Sequence, residues 1–357
     1  MGSPEALIER GQALRQAVAQ AGGLPAIGRL LASRRDLTRA DQELLGWWQD
    51  DAVRGIFEVH APMGAPMGAP ERTAGAHPVT VLNLIDDLEY RLYGYRPNGY
   101  RPNGTAPHAA AFVSGTLLPL TADDEAWLLA AGETGYPAAD ARAVARLAID
   151  MATREPELVF RNPDKVRQGW EHMRRDREEF LAFFGADELV LPTLEAEGRL
   201  NAYYKRRQDA ALAARGRHRA VSDSGETTFV MPEGFFEFDT VGIIYDETDG
   251  FVVVPEYGML RALFADPSLA ADREHANVLR AYLREDMIPP LPLRRVAAAH
   301  PRNADAVFRR VLGNRGFSWR QHGEGLLRKR KPGYFEDEPL PGVAVLSDRV
   351  MELARGR

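Results

Sequence analysis

Three carboxylates in four residues, Asp86, Asp87 and Glu89, form the grouping that most resembles a metal site. Paired aspartates on one helix face can hold magnesium through carboxylate oxygens. Here the flanking residues alternate instead. Val79, Val81 and Asn83 come before the pair, and Leu88, Tyr90 and Leu92 follow it. That period belongs to two strands meeting at a polar turn, where aspartate is an ordinary occupant. Asp86 and Asp87 are therefore metal candidates set against a turn.

The eight histidines (60, 77, 108, 172, 218, 275, 300 and 322) contain no HExxH and no pair at helical spacing. Acids close to a histidine in sequence include Glu58 to His60, Glu171 to His172 and Glu324 to His322. His322-Gly323-Glu324 offers two of the three ligands of a non-haem iron triad, and the second histidine has no nominee. His77, His108 and His300 adjoin prolines and read as loop residues. His60, His172, His322 and Glu324 are the catalytic candidates, and Asp86, Asp87, His322 and Glu324 the metal candidates. No cofactor is nominated.

Other chemistries are excluded by composition. There are no cysteines, which removes disulfides, thiol nucleophiles and Cys-ligated zinc or iron–sulfur clusters. GxSxG, GxxxxGK[ST] and GxGxxG after a strand are all absent.

Basic charge is the feature farthest from average. From 309 to 331 there are eight Lys/Arg against one acid, Glu324, in a chain whose net charge is −6. They are Arg309, Arg310, Arg315, Arg320, Arg328, Lys329, Arg330 and Lys331, and Phe317, Trp319, Tyr334 and Phe335 lie among or just after them. Cations interleaved with aromatics have the composition of a phosphate or single-strand groove. A second basic segment runs from Arg199 to Arg219. The competing reading is a solvated helix face paired with acids such as Glu336, Asp337 and Glu338. Lysine occurs only four times, so arginine is the general cation of this chain and each one carries less information.

The elements that must position these residues follow from periodicity. Helical spacing over 4–35 and 38–50 predicts N-terminal helices, the second opening at Thr38 with Asp41 three residues on. Alternation across 51–135, broken by the duplicated loops MGAPMGAP and YRPNGYRPNG, predicts a small antiparallel β-barrel or curled sheet. Residues 136–215 read as a helical region whose stripe includes Trp170, Phe180, Phe183 and Phe184 as core. A polar linker is expected over 216–234. A C-terminal α+β domain follows over 235–357, opening with a β-hairpin around Asp249-Gly250 and including a basic helix near 318–330. The fold class is α+β.

The N-terminus has Glu5 and Glu9 where a signal peptide would be basic and then apolar, and the longest apolar runs are far short of a membrane span. A cytoplasmic protein without a membrane partner is expected. Its function reads as binding or regulation, with Arg309, Arg310, Arg320, Arg328, Lys329, Arg330 and Lys331 contacting a polyanion, either nucleic acid or an acidic protein. The alternative is an enzyme without a local motif, metal-dependent through His, Glu and Asp residues that converge from distant segments. The oligomeric state is left open.

Overall fold

Period-two alternation builds the first sheet. The computed structural model describes residues 4–60, 78–95, 110–123, 125–214, 228–336 and 338–356. The duplicated loops, His77, His108, His218, Asp337 and most of the expected linker lie outside the described residues. Six strands make this sheet: β1 (Val53–His60), β2 (Val79–Asn83), β3 (Glu89–Leu92), β4 (Phe112–Pro119), β5 (Trp127–Leu129) and β6 (Thr134–Tyr136). Five of them close in the order β1-β2-β3-β5-β4-β1, with β6 added to β4. The β3–β5 pair is parallel, Leu92 opposite Trp127, and the others are antiparallel. The expected barrel is present and closed.

Phe57, Val81, Tyr90, Leu92, Val113, Leu117 and Trp127 fill its interior. Tyr90 meets Phe57 and Trp127 edge-on at 6.2 and 5.1 Å, the geometry that suits aromatic quadrupoles. Two outer faces are also apolar and are covered by helices. Helices α1 (Pro4–Ala21), α2 (Ile27–Ser33) and α3 (Arg39–Asp50) pack Leu14, Ile27, Leu44 and Trp48 on Leu118, Leu120 and Leu128. The Trp48 indole donates to the Pro119 carbonyl at 2.8 Å. At the start of α3, Thr38 and Asp41 form the reciprocal capping box that their spacing predicts. Helix α4 (Ala141–Arg154) and the C-terminal helix Asp348–Arg355 pack on Ile56, Ile85 and Phe112.

Contacts divide the chain into two units, residues 1–169 with 343–357 and residues 170–342. That division differs from the expected five segments. The last 15 residues belong with the barrel, and the helical region is shared, with α5 (Pro163–Phe184) holding residues of both units.

The second unit has a three-stranded antiparallel sheet, β7 (Glu188–Pro192), β8 (Thr240–Asp246) and β9 (Gly250–Pro255), in that order. The expected hairpin is β8–β9, closed by Gly250 at φ 68°, a left-handed turn position that suits glycine. It does not open a separate domain, because β7, within the region expected to be helical, pairs with β8 from Glu188 to Pro192. Both faces of β8 are covered. Val241, Ile243 and Tyr245 meet Phe180, Ala196, Leu200 and Tyr203, the last three from α6 (Thr193–Ala214). Ile244 faces a cluster from five further helices: α7 (Tyr257–Ala265), α8 (Arg273–Arg284), α9 (Leu291–Ala299), α10 (Pro301–Leu312) and α11 (Trp319–Arg330). Phe180 is fully buried, as its stripe predicts, whereas Trp170 is only half-buried. The register of the stripe turns Met173 inward in its place, 2% exposed.

Gly242 allows α7 to lie against this sheet. A Cβ there would stand 2.5 Å from Cβ and Cγ of Tyr257, closer than atoms can approach. Gly242→Ala is expected to destabilise the second unit by about 1–3 kcal/mol, the usual cost of overpacking a filled core. Gly28→Ala is the control. A Cβ at this α2 position meets nothing within 4 Å, so alanine is expected to be neutral or to stabilise by up to about 1 kcal/mol. Urea midpoints of the two variants measure both effects.

Candidate functional site

The turn between β2 and β3 is a buried polar knot. Asp86 is fully buried, and three donors converge on its carboxylate: Asn83 Nδ2 at 2.8 Å, the Leu88 N–H at 2.9 Å and the Tyr90 hydroxyl at 2.8 Å. The Asn83 side chain in turn accepts from the Ile85 N–H at 3.1 Å and lies over Gly55, where a Cβ would come within 2.6 Å of Asn83 Oδ1. Asn162, just before α5, donates to the Asp86 carbonyl at 2.8 Å. Next along the chain, Asp87 takes a left-handed conformation, φ 65°, and pairs with the buried Lys165 at 3.1 Å. Asp86 and Asp87 thus serve different partners. Glu89 is exposed on β3. These are the occupations of turn residues. Among the described residues no group of three or more His, Cys, Asp or Glu could hold a metal ion.

Burial pushes the Asp86 carboxyl up to about 6, outweighing the lowering by its hydrogen-bond donors. The same burial, with Asp86 beside it, raises the Tyr90 hydroxyl.

The other nominated residues belong to both units. His60 ends β1 opposite Thr80, half-buried in the first unit. His172 and His322 belong to the second unit. His172 lies 3.6 Å from Asp176, which is already paired with Arg207. His322 is exposed, and its Nδ1 accepts the Ser318 N–H at 3.0 Å. Glu324 pairs with Arg294 at 2.9 Å and approaches Arg328 at 3.6 Å. His322 and Glu324 are two residues apart on α11, a spacing that turns side chains away from each other. Glu58 pairs with Arg349. Within the second unit no hydrogen bond or ion pair joins any two of His172, His322 and Glu324.

The basic segment separates into two populations. Arg309 donates to the Phe317 carbonyl at 2.7 Å and pairs with Asp305 at 3.1 Å. Arg328 lies 4.6 Å over the Phe335 ring. Lys331 is 2% exposed, its ammonium donates to the Glu285 carbonyl, and burial lowers its pKa. These three are internal fastenings. The side chains of Arg310, Arg315, Arg320, Lys329 and Arg330 are exposed and make no hydrogen bond or ion pair with any described residue.

The interleaved aromatics do not extend this surface. Phe317 is 4% exposed, and Trp319 stacks on Phe308 at 4.7 Å and 13°. The Tyr334 hydroxyl donates to Asp249 at 2.6 Å. Sequence missed the reason for the clustering: Arg309 and Arg310 occupy the last turn of α10, and Arg328, Lys329 and Arg330 that of α11. A helix C-terminus carries partial negative charge and favours cations.

No family model, no curated protein and no solved structure matches this chain. Among the described residues no helix is long and apolar enough to cross a membrane.

Asp86 generates a test. Its raised pKa means that the folded chain takes up a proton between about pH 4 and pH 6. The stability it contributes is fully present below about pH 4 and is lost as pH rises through about 6. Asp86→Asn is expected to remove that part of the stability–pH slope, as read in urea titrations at pH 4, 5 and 6. Asp86→Ala strands the buried Asn83 and Tyr90 donors, at a cost of roughly 1–3 kcal/mol for each stranded group.

Proposed function

We propose that the protein is a binding or regulatory protein that meets a nucleic-acid backbone through the exposed cations of α10, α11 and their connection. The observation that supports this is the set Arg310, Arg315, Arg320, Lys329 and Arg330, which are solvated and have no partner among the described residues. Cations already holding the protein together do not release counterions when a phosphate arrives, and solvated ones do. Arg309, Arg328 and Lys331 are therefore left out of the contacting set. The nearby aromatics are committed to packing, so contact is phosphate-directed and indifferent to base sequence. Arginine suits such contacts because its planar fork can meet two phosphate oxygens at once.

The test is binding of a 20-nucleotide single strand and of the matching duplex across a salt series. Wild-type protein is expected to bind both at about 0.1 M salt and to weaken steeply as salt rises. Replacing the five exposed cations by Gln should abolish binding while leaving the urea midpoint within about 1 kcal/mol, since none of them is packed. Wild-type protein that ignores both probes at about 0.05 M salt would overturn the reading. So would a five-fold variant that unfolds, because the cations would then serve the helix ends alone.

A further inference from the structure

The first unit contains a cavity of about 750 Å³ among α1, α3, the end of β3 and the β4–β5 connection. That volume is within the range of drug-sized ligand sites, roughly 300–1,000 Å³. Its origin is geometric. Leu92 and Trp127 are partners across β3–β5 and point into the barrel, so Arg91, Tyr93 and Ala126 point outward on the same side. Helices α1 and α3 cover the outer face farther along, at Leu118, Leu120 and Leu128, and leave Arg91 and Tyr93 as one wall of a trough. Its floor is Leu44 and Leu120, 2% and 1% exposed, and its sides carry half-buried Trp47 and Tyr93. Alanines at 6, 40 and 126 keep it open.

Charge in the trough is unevenly committed. Arg10 is held by Asp41 and Thr38, and Glu43 by Arg39. The Arg91 side chain is exposed and makes no hydrogen bond or ion pair with any described residue. The acids Asp123 and Glu125 stand on the β4–β5 connection, where they disfavour an anion at that rim. An anionic group is therefore directed toward Arg91. Two large aromatic side chains and an aliphatic floor suit a flat apolar body.

We infer that this trough binds a small amphipathic molecule with a planar aromatic body and a single anionic group, the anion held by Arg91 and the body by Trp47, Tyr93, Leu44 and Leu120. The site is in a different unit from the cations of the proposed nucleic-acid contact and does not depend on them.

Three probes with one body decide it: 4-(1-pyrenyl)butyrate, its uncharged amide and the corresponding butylammonium, followed by pyrene emission and quenching of tryptophan. The butyrate is expected to bind about tenfold more tightly than the amide, as suits one charge-assisted contact at an open site. Arg91→Gln should erase that margin and leave the amide unchanged, whereas Arg91→Lys should keep most of it. Ala40→Trp places a bulky side chain on an exposed lining position and should weaken all three probes at least tenfold. The inference fails if none of the probes binds saturably at about 1 mM, or if the ammonium binds most tightly. It fails equally if Arg91→Gln leaves the butyrate margin intact, or if Ala40→Trp changes nothing, because the probe would then be elsewhere.

Discussion

A buried carboxylate organises the barrel unit. Asp86 loses its solvation on folding, and three converging donors, with the charge of Arg161, offset part of that cost. The consequences spread outward from this one group. Asn83 must lie where it can both donate to Asp86 and accept from Ile85, which places its amide over β1 and requires Gly55 beneath it. Tyr90 must keep its hydroxyl at the turn, which sets its ring among Phe57 and Trp127 inside the barrel. Through its carbonyl, the same turn holds Asn162 and so fixes where α5 begins. Half-satisfied buried networks are worse than apolar ones, so these residues stand or fall together.

The second unit rests on a different device, a short sheet buried on both faces. Charge is kept at its end. Asp187 beside β7 receives Arg177 at 2.8 Å and Arg295 at 3.3 Å, and Arg295 also reaches Asp246 at 2.9 Å. Burial would raise the Asp187 carboxyl, and the two guanidinium groups outweigh it, so its pKa falls. Arginine recurs in this unit as an internal connector. Arg294 and Arg328 lie over Phe335 at 5.4 and 4.6 Å, and Arg207 lies over Tyr203 at 5.7 Å. Guanidinium groups are weakly hydrated and stack on rings readily. A high arginine count therefore says little about surface charge until each one is placed.

Much of the barrel was legible in the sequence because a closed barrel enforces strict alternation: one face of each strand is core whatever covers the other. Residues 79–83 and 88–92 show that period on either side of Asp86-Asp87, and the Thr38–Asp41 spacing marks the start of α3. The hairpin at Asp249-Gly250 was legible for a similar reason, since a left-handed turn position selects its residue locally. Strands β6 and β7 were not. Three residues are too few to establish a period, and Glu188–Pro192 between two helical stripes becomes a strand only because β8 lies beside it.

Sequence by itself determined the α+β class, a small strand-rich region that is a barrel or a curled sheet, the turn at Asp86-Asp87, the absence of thiol chemistry and the concentration of cations near 309–331. Those properties depend on residue type and on neighbours a few positions away. Tertiary structure alone decided which of the described cations are free, because Lys331 and Arg309 look like their neighbours until the Glu285 and Phe317 carbonyls are brought to them. It alone assigned 343–357 to the barrel unit and left the trough beside Arg91 open. A cavity is the space between elements distant in the chain, and no local pattern of residues records a space.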